Sequence, residues 1–319
     1  MSPKYSVLWE ADSRMTRMAV LDDDMWAQIE SVLPPLQGPM GRPMTEHRRA
    51  VEGAIYRYRT GIAWRDLPAE FGPWQTVWKR HHRFSLDGTW DRVLAALQAG
   101  RKLPGRSIGG LRSTRRSPGC TSTGRTLRGV CRGRRRSQGA LSNYKVPADR
   151  RDRRDEPGDH GIGRSRGGLT TKTHAIVDGT GRPLVIGCTP GQSNDSPALS
   201  KLLAELRVST GGPGRPRTTP SMLLGDKAYS ARGHRAELRR RGIKVVIPEP
   251  SDQAGHRKRK GSRGGRPVGY DVLAYRNRNV VERCFNTIKN WRGLATRYDK
   301  KVLVYRGGVV LASILMWLS

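Results

Sequence analysis

At 319 residues the chain is long enough for one large domain or two moderate ones, each with surface to bury in a core. Its 60 Lys and Arg against 27 Asp and Glu leave a net charge of +33, which repels itself in isolation and favours a polyanionic partner, nucleic acid first. No signal-peptide-like run or polybasic membrane anchor is visible, and Cys120, Cys131, Cys188 and Cys284 fall at neither metal-ligand nor disulfide spacing, so a cytoplasmic, nucleoid-associated protein with reduced thiols is expected.

Residues 1–98 read as a helical module. "LDDDMWAQIESVL" offers Asp caps before Met25, Ile29 and Leu33 at helical spacing, and Pro34-Pro35 stops it. A second helix runs through "TEHRRAVEGAIYRYRTG", from Thr45 as N-cap to Gly61 as C-cap. Short helices follow, separated by Gly72-Pro73 and Asp87-Gly88 turns, with Trp64, Trp74, Trp78 and Trp90 to fill a small core. Lys79, Arg80 and Arg83 surround a short helix in the way a helix-turn-helix presents its recognition element. A solvated basic helix face would give the same pattern.

The grammar breaks over residues 99–155. Between Asp91 and Asp149 there is no acidic residue, while arginines crowd in. "LRSTRRSPGCTSTGRT", residues 111–126, has four arginines, no aliphatic residue after Leu111 and no period of two or 3.6. On its face this is a disordered basic arm able to grip DNA phosphates.

From residue 156 onward the pattern is α/β. "LTTKTHAIVDGTGRPLVIGCTPG" is a hairpin turning at Asp178-Gly179-Thr180-Gly181. Ser196-Pro197 opens a helix, "SMLLGDKAYS" is a short buried strand ending at Asp226, and a helix over 232–241 leads to the strand "IKVVIPEP". A flexible, very basic loop is expected over 255–267, then one long helix over 271–291. The apolar run 307–318 is too short to span a bilayer and reads as a helix packed on a core.

The chemistry concentrates on the 271–291 helix. At 100° per residue, Tyr275, Arg278, Glu282 and Lys289 fall within about 60° of one another, while Val281, Cys284, Phe285 and Ile288 face a core. One stripe thus carries a carboxylate, two cations and a phenol. Amphipathic helices with Glu-Lys pairs look similar, but Glu282 and Lys289 are seven apart, too far for an i,i+4 pair. A carboxylate for metal and cations for phosphate make better sense of it. Asp226 stands at the carboxyl end of an apolar strand, the edge where open α/β sheets bind ligands, with Lys227 and Tyr229 behind it. A turn-capping Asp is the competing reading.

Tyr-x2-Arg-x3-Glu-x6-Lys, met by Tyr275, Arg278, Glu282 and Lys289, resembles the signature of DDE transposases of bacterial insertion sequences, the insertion-sequence-five group. "LGDKAYS" resembles that group's second-Asp motif, and "GRSRGGLTTKTHAIVDGTGRPL", "PGQSNDSP" and "WRGLATRYDK" are similar to its members. "LPAEFGPWQTVWKRHHRFSLDGTWDRV" is similar to its DNA-binding region, so the resemblance covers roughly residues 20–98 and 156–319. It implies a helix-turn-helix-like DNA-binding module (1–98) and an RNase H-like mixed sheet flanked by helices (156–319), working on transposon inverted repeats and target DNA, as a dimer. It also implies three carboxylates holding two divalent ions, Mg²⁺ or Mn²⁺, that activate water and then the freed 3′-hydroxyl. Asp226 and Glu282 would be the second and third acids and metal ligands. Tyr275, Arg278, Lys289 and Lys227 would contact DNA near the scissile phosphate, as Lys79, Arg80 and Arg83 would in the helical module.

The first acid and its strand are missing. In the family it lies in a motif like V-D-S-T-I followed by R-x-H-Q-H, ahead of "GRSRGGLTTK". Asp178 is a hairpin turn residue, and Asp149, Asp152, Asp155 and Asp159 lie in charged loop sequence. One permitted choice of codons for residues 110–126, read from the third base, spells S-A-V-D-S-T-I-A-R-V-H-Q-H-G-A-N. Residues 99–155 are therefore read as an off-frame stretch, the lost Asp codon straddling Ser113 and Thr114. The expected function is that of a transposase impaired in cleavage. The alternatives are a repressor-like, non-catalytic DNA-binding protein of the same descent and a generic RNase H-like nuclease.

Overall fold

The computed structural model describes residues 20–36, 46–100, 158–165, 168–209 and 212–319, together with the main chain of 108–116. Asp22 accepts the Met25 amide at 2.7 Å and so starts α1 (Asp23–Glu30). Helix α2 (His47–Thr60) closes on Gly61, whose φ of 76° is the left-handed cap expected there; Thr45 lies outside the described residues. Two 3₁₀ turns, Trp64–Asp66 and Ala69–Phe71, lead to α3 (Trp74–Leu86) and, after the Asp87-Gly88 turn, α4 (Thr89–Gly100).

Among the described residues the sheet has six strands: β1 (Ile108–Arg116), β2 (Gly163–Ser165), β3 (Gly168–Val177), β4 (Pro183–Pro190), β5 (Met222–Gly225) and β6 (Lys244–Val246). β3 pairs antiparallel with β1, β2 and β4, whereas β1, β5 and β6 run parallel to one another. The expected β3–β4 hairpin is present and turns at Asp178–Gly181. The expectation that residues 99–155 carry no ordered strand needs correction. Ile108–Arg116 is the strand between β3 and β5, with Ser113 opposite His174 and Leu111 opposite Gly225. Main-chain ladders on both sides form without the alternation that sequence reading looks for. The rest of that segment lies outside the described residues.

Helix α5 (Ser196–Glu205) packs on β3 and β4, and α6 (Arg232–Arg240) on β6. The basic loop expected over 255–267 is in large part structured, as α7 (Ser251–Arg259) and a 3₁₀ turn, Gly261–Gly264. Arg257 is anchored to Glu249 at 3.2 Å. The single helix expected over 271–291 is two, α8 (Val272–Arg276) and α9 (Asn279–Lys289). The Arg278 amide bonds the Tyr275 carbonyl and the Val281 amide the Arg278 carbonyl, three-residue turns that break the α ladder. Val281, Cys284, Phe285 and Ile288 are buried as expected, and α9 packs on β1 and β3.

After the short α10 (Arg292–Ala295), the last helix, α11 (Val302–Leu318), ties the two halves together. It packs on α2, α3, α4 and β4. Gly308 lies so close to the Tyr58 ring that a Cβ would come within 2.5 Å of it, Arg306 grips Asp91 through two bonds of 2.7 and 2.8 Å, and Trp317 donates to the Pro183 carbonyl at 2.7 Å. The change near residue 98 is therefore a change of element type and not a break in packing. Among the described residues no helix is long and apolar enough to cross a membrane.

Candidate active site

The carboxyl end of β5 delivers Asp226. Gly225, the last strand residue, has Ile247 against it, and Asp226 then caps the 3₁₀ turn Lys227–Tyr229, its Oδ1 accepting the Lys227 amide at 2.6 Å. The Lys227 side chain is exposed. Tyr229 is buried, and among the described residues its hydroxyl has no hydrogen-bond partner. Burial raises its pKa, and the negative charges of Asp195 and Asp226 raise it further.

The second half of the site comes from α8 and α9. Glu282 lies in the first turn of α9, where Arg278 donates to it at 2.7 Å. The Arg278 guanidinium is also 5.6 Å from the centre of the Tyr275 ring, which Tyr270 meets edge-on at 5.6 Å. The Tyr275 phenol titrates above its ordinary range. Burial is the main cause, opposed by Arg278 and reinforced by Asp226, Tyr270 and Glu282. Asp226 and Glu282, 56 positions apart in sequence, thus act on one phenol. Lys289, exposed at the end of α9, stands two turns from Glu282, about 10 Å along the axis.

The neighbouring strand brings no acid. In the parallel ladder the last pair is Leu111 with Gly225, and the next residues along are Arg112 on β1 and Asp226 beyond β5. No Asp or Glu occurs in Ile108–Arg116. Asp178 does not substitute: it is 1 % exposed, and its oxygens are taken by Thr180 and by the amide and guanidinium of Arg182, at 2.7–3.0 Å. Asp159 is exposed and lies 3.7 Å from Lys301; Asp149, Asp152 and Asp155 are outside the described residues. Among the described residues no three His, Cys, Asp or Glu gather as a metal ion would require.

A half-buried ion pair has no signal in the sequence. Lys172 of β3 reaches Asp195, just before α5, at 2.8 Å, and Asp195 shares with Asp226 its influence on Tyr229. Of the basic residues on α3, Lys79 and Arg83 are exposed, with Arg83 3.7 Å from Asp87. Arg80 is a correction to the expected DNA-facing set. It is 7 % exposed, bonded to His47 and set over Phe84, because its position on the helix turns it into the core.

Residues 21–94 match the family described as "Putative transposase of IS4/5 family", and residues 142–317 match "Transposase DDE domain". The "Putative transposase for insertion sequence element IS6501" of Brucella ovis is 33% identical over 150 residues, 47% of this chain and 99% of that protein. A 16.2 kDa protein of insertion element IS402 from Burkholderia cepacia is 37% identical over 86 residues, 25% of this chain and 58% of that protein. Protein y4sN of Sinorhizobium fredii is 35% identical over 78 residues, covering 62% of it. No solved structure matches the chain. The fold and site define a mixed α/β protein with one acid at the carboxyl end of a central strand and a second on a helix packed against the sheet. The chain belongs to the DDE transposase family of insertion sequences.

Proposed function

We propose that this chain binds transposon-end DNA as a transposase whose catalytic centre has lost its first acid. The order of β4, β3, β1, β5 and β6, with β3 antiparallel to the rest of the central sheet's β1, β5 and β6, supports an RNase H-like reading of the catalytic region. In a complete centre, two divalent ions held by three carboxylates would activate water at the element's ends and then the freed 3′-hydroxyl against target DNA. Asp226 and Glu282 supply the hard oxygen donors that Mg²⁺ or Mn²⁺ prefers. One oxygen of each is already engaged, by the Lys227 amide and by Arg278, and no third acid adjoins them among the described residues. The residues present do not fit a two-ion centre.

The observation that carries this reading is the strand β1, adjacent to Asp226 and free of carboxylates. The two family matches leave residues 95–141 between them, which supports an off-frame origin for 99–141; residues 142–155, which the DDE match covers, are better read as in frame. What remains is a DNA-binding surface: Arg278, Tyr275, Lys289 and Lys227 around the acids, and Lys79 and Arg83 on α3, with two copies of the chain expected to bridge the two inverted repeats. Affinity should fall steeply with salt. Gel-shift and nicking assays on the element's inverted repeats test the proposal. Binding without Mg²⁺-dependent cleavage is expected; robust cleavage abolished by Glu282→Ala would show that an acid has been overlooked. The gene sequence tests the origin of the stretch: nucleotides at Ser113 and Thr114 that cannot spell an Asp codon in the shifted frame exclude it.

A further inference from the structure

A cavity of about 900 Å³ opens between the helical region and the 298–304 segment, formed by none of the residues discussed so far as the site. Its walls are aromatic. Trp74 and Trp78 stand one helical turn apart at the start of α3, Trp78 backed by His82 at 4.8 Å between ring centres; Trp64 and Tyr298 complete the ring surface. The rings are partly exposed, so they present faces instead of closing on one another.

The polar groups are donors. Arg57 is 2 % exposed, clamped among Tyr58, Trp64 and Tyr298 with its guanidinium 4.6–5.9 Å from their ring centres, yet among the described residues its Nε has no hydrogen-bond partner; nor has the buried Trp64 Nε1. Two unmet buried donors each cost on the order of a lost hydrogen bond unless a ligand supplies an acceptor. The one acidic residue on the wall, Asp299, is committed to Arg57 at 3.2 Å and to the Tyr58 hydroxyl at 3.0 Å. Around the mouth stand Arg65, Lys300 and Lys301, all exposed; Lys301 is 3.7 Å from Asp159 in a half-exposed pair that a phosphate could displace.

We propose that this cavity takes an unpaired nucleotide of DNA: the base stacked on Trp74 and Trp78, and its phosphates held by Lys300, Lys301 and Arg65. The volume is that of a small-ligand site and admits a base but no duplex. Flat rings accept any base, and the cations follow the strand, the combination by which single strands are held. This rests on the reading of the chain as a DNA-binding transposase and adds where a distorted or frayed end would be gripped.

The test uses the full chain and a short oligonucleotide carrying 2-aminopurine, offered single-stranded and as a duplex. Stacking should quench the probe in the single strand. Trp74→Ala with Trp78→Ala should abolish that quenching and weaken single-strand affinity about ten-fold, leaving duplex affinity unchanged. Trp78→Phe, which keeps a ring and guards against loss of fold, should retain both. Lys300→Ala with Lys301→Ala should weaken single-strand binding mainly at low salt. Duplex binding by the unmodified chain with no quenching, or quenching that survives the double Trp substitution, overturns the pocket and leaves the DNA-binding reading standing. No binding to either form overturns both.

Discussion

Lowering the pH from 7 to 5 should destabilise the junction between α3 and α11 through one side chain, His81. Its imidazole is fully buried between the two halves of the chain. Trp90 Nε1 donates to its Nδ1 at 3.3 Å, which leaves the proton on Nε2, facing the Tyr58 oxygen at 3.0 Å and the Val304 carbonyl at 3.2 Å; Tyr58 in turn donates to Asp299 at 3.0 Å. A second proton would have to enter on Nδ1, against the Trp90 N–H. Burial accordingly lowers the His81 pKa from 6.5 to about 4, with Asp299 and the Val304 carbonyl opposing the shift and Arg57 and His82 adding to it. For a cation-forming group with a depressed folded pKa, the unfolded chain takes the proton first. Stability is therefore complete above pH 6.5 and is lost as pH falls toward 4. At pH 5 the loss comes to about 2 kcal/mol from this residue.

His174, also lowered to about 4 by burial, works in the same direction, while Glu52, whose carboxyl burial pushes up, works against both at the acid end. The pH dependence of the whole chain thus does not isolate His81; a comparison does. Urea unfolding followed by tryptophan fluorescence at several pH values gives the number of protons taken up on unfolding, and His81→Gln should reduce that number by about 0.9 near pH 5 and by about 0.5 at pH 6.5. Gln can still accept from Trp90 and donate toward Val304. Equal proton uptake in the two proteins would refute the buried neutral imidazole, whatever their absolute stabilities.

The two classes of basic residue on α3 should separate. Lys79→Ala with Arg83→Ala should lower the slope of log affinity against log salt by about 2 on end DNA, whereas Arg80→Ala should leave that slope alone and cost about 2–3 kcal/mol of stability by stranding His47. Gly308→Val forces a side chain onto the Tyr58 ring, since even a Cβ comes within 2.5 Å, and should cost about 3 kcal/mol by calorimetry; an unchanged melting temperature would deny the close approach of α2 and α11. If the acid missing from β1 is what silences the centre, then one of Arg112→Asp, Ser113→Asp and Thr114→Asp should raise Mg²⁺-dependent nicking above background in a manner abolished by Glu282→Ala. Three inactive variants would count against that explanation.

Features settled within a few residues were legible in the sequence: the Asp22 cap, the left-handed Gly61, the opening of α5 at Ser196 and the turn at Asp178. The Arg278-Glu282 pair, one helical turn apart, reads in the sequence as a phosphate contact beside a metal ligand and not as an ion pair. Features that depend on distant partners were not legible. Arg80 is drawn inward by His47, 33 positions away, Lys172 finds Asp195 across 23, and the aromatic cavity joins residues near 57–82 to others near 298–304. Strand β1 belongs to the second group, because nothing in "IGGLRSTRR" alternates and only β3 and β5 on either side define it. Its case also explains how family descent and the proposed loss of cleavage can coexist. A ladder is made of main-chain amides and carbonyls, which any residue but proline supplies, whereas metal binding needs a carboxylate at one position. Replacing side chains along β1 can therefore spare the pairing that places Asp226 and, through α9, Glu282, while removing the one group that the two remaining acids require.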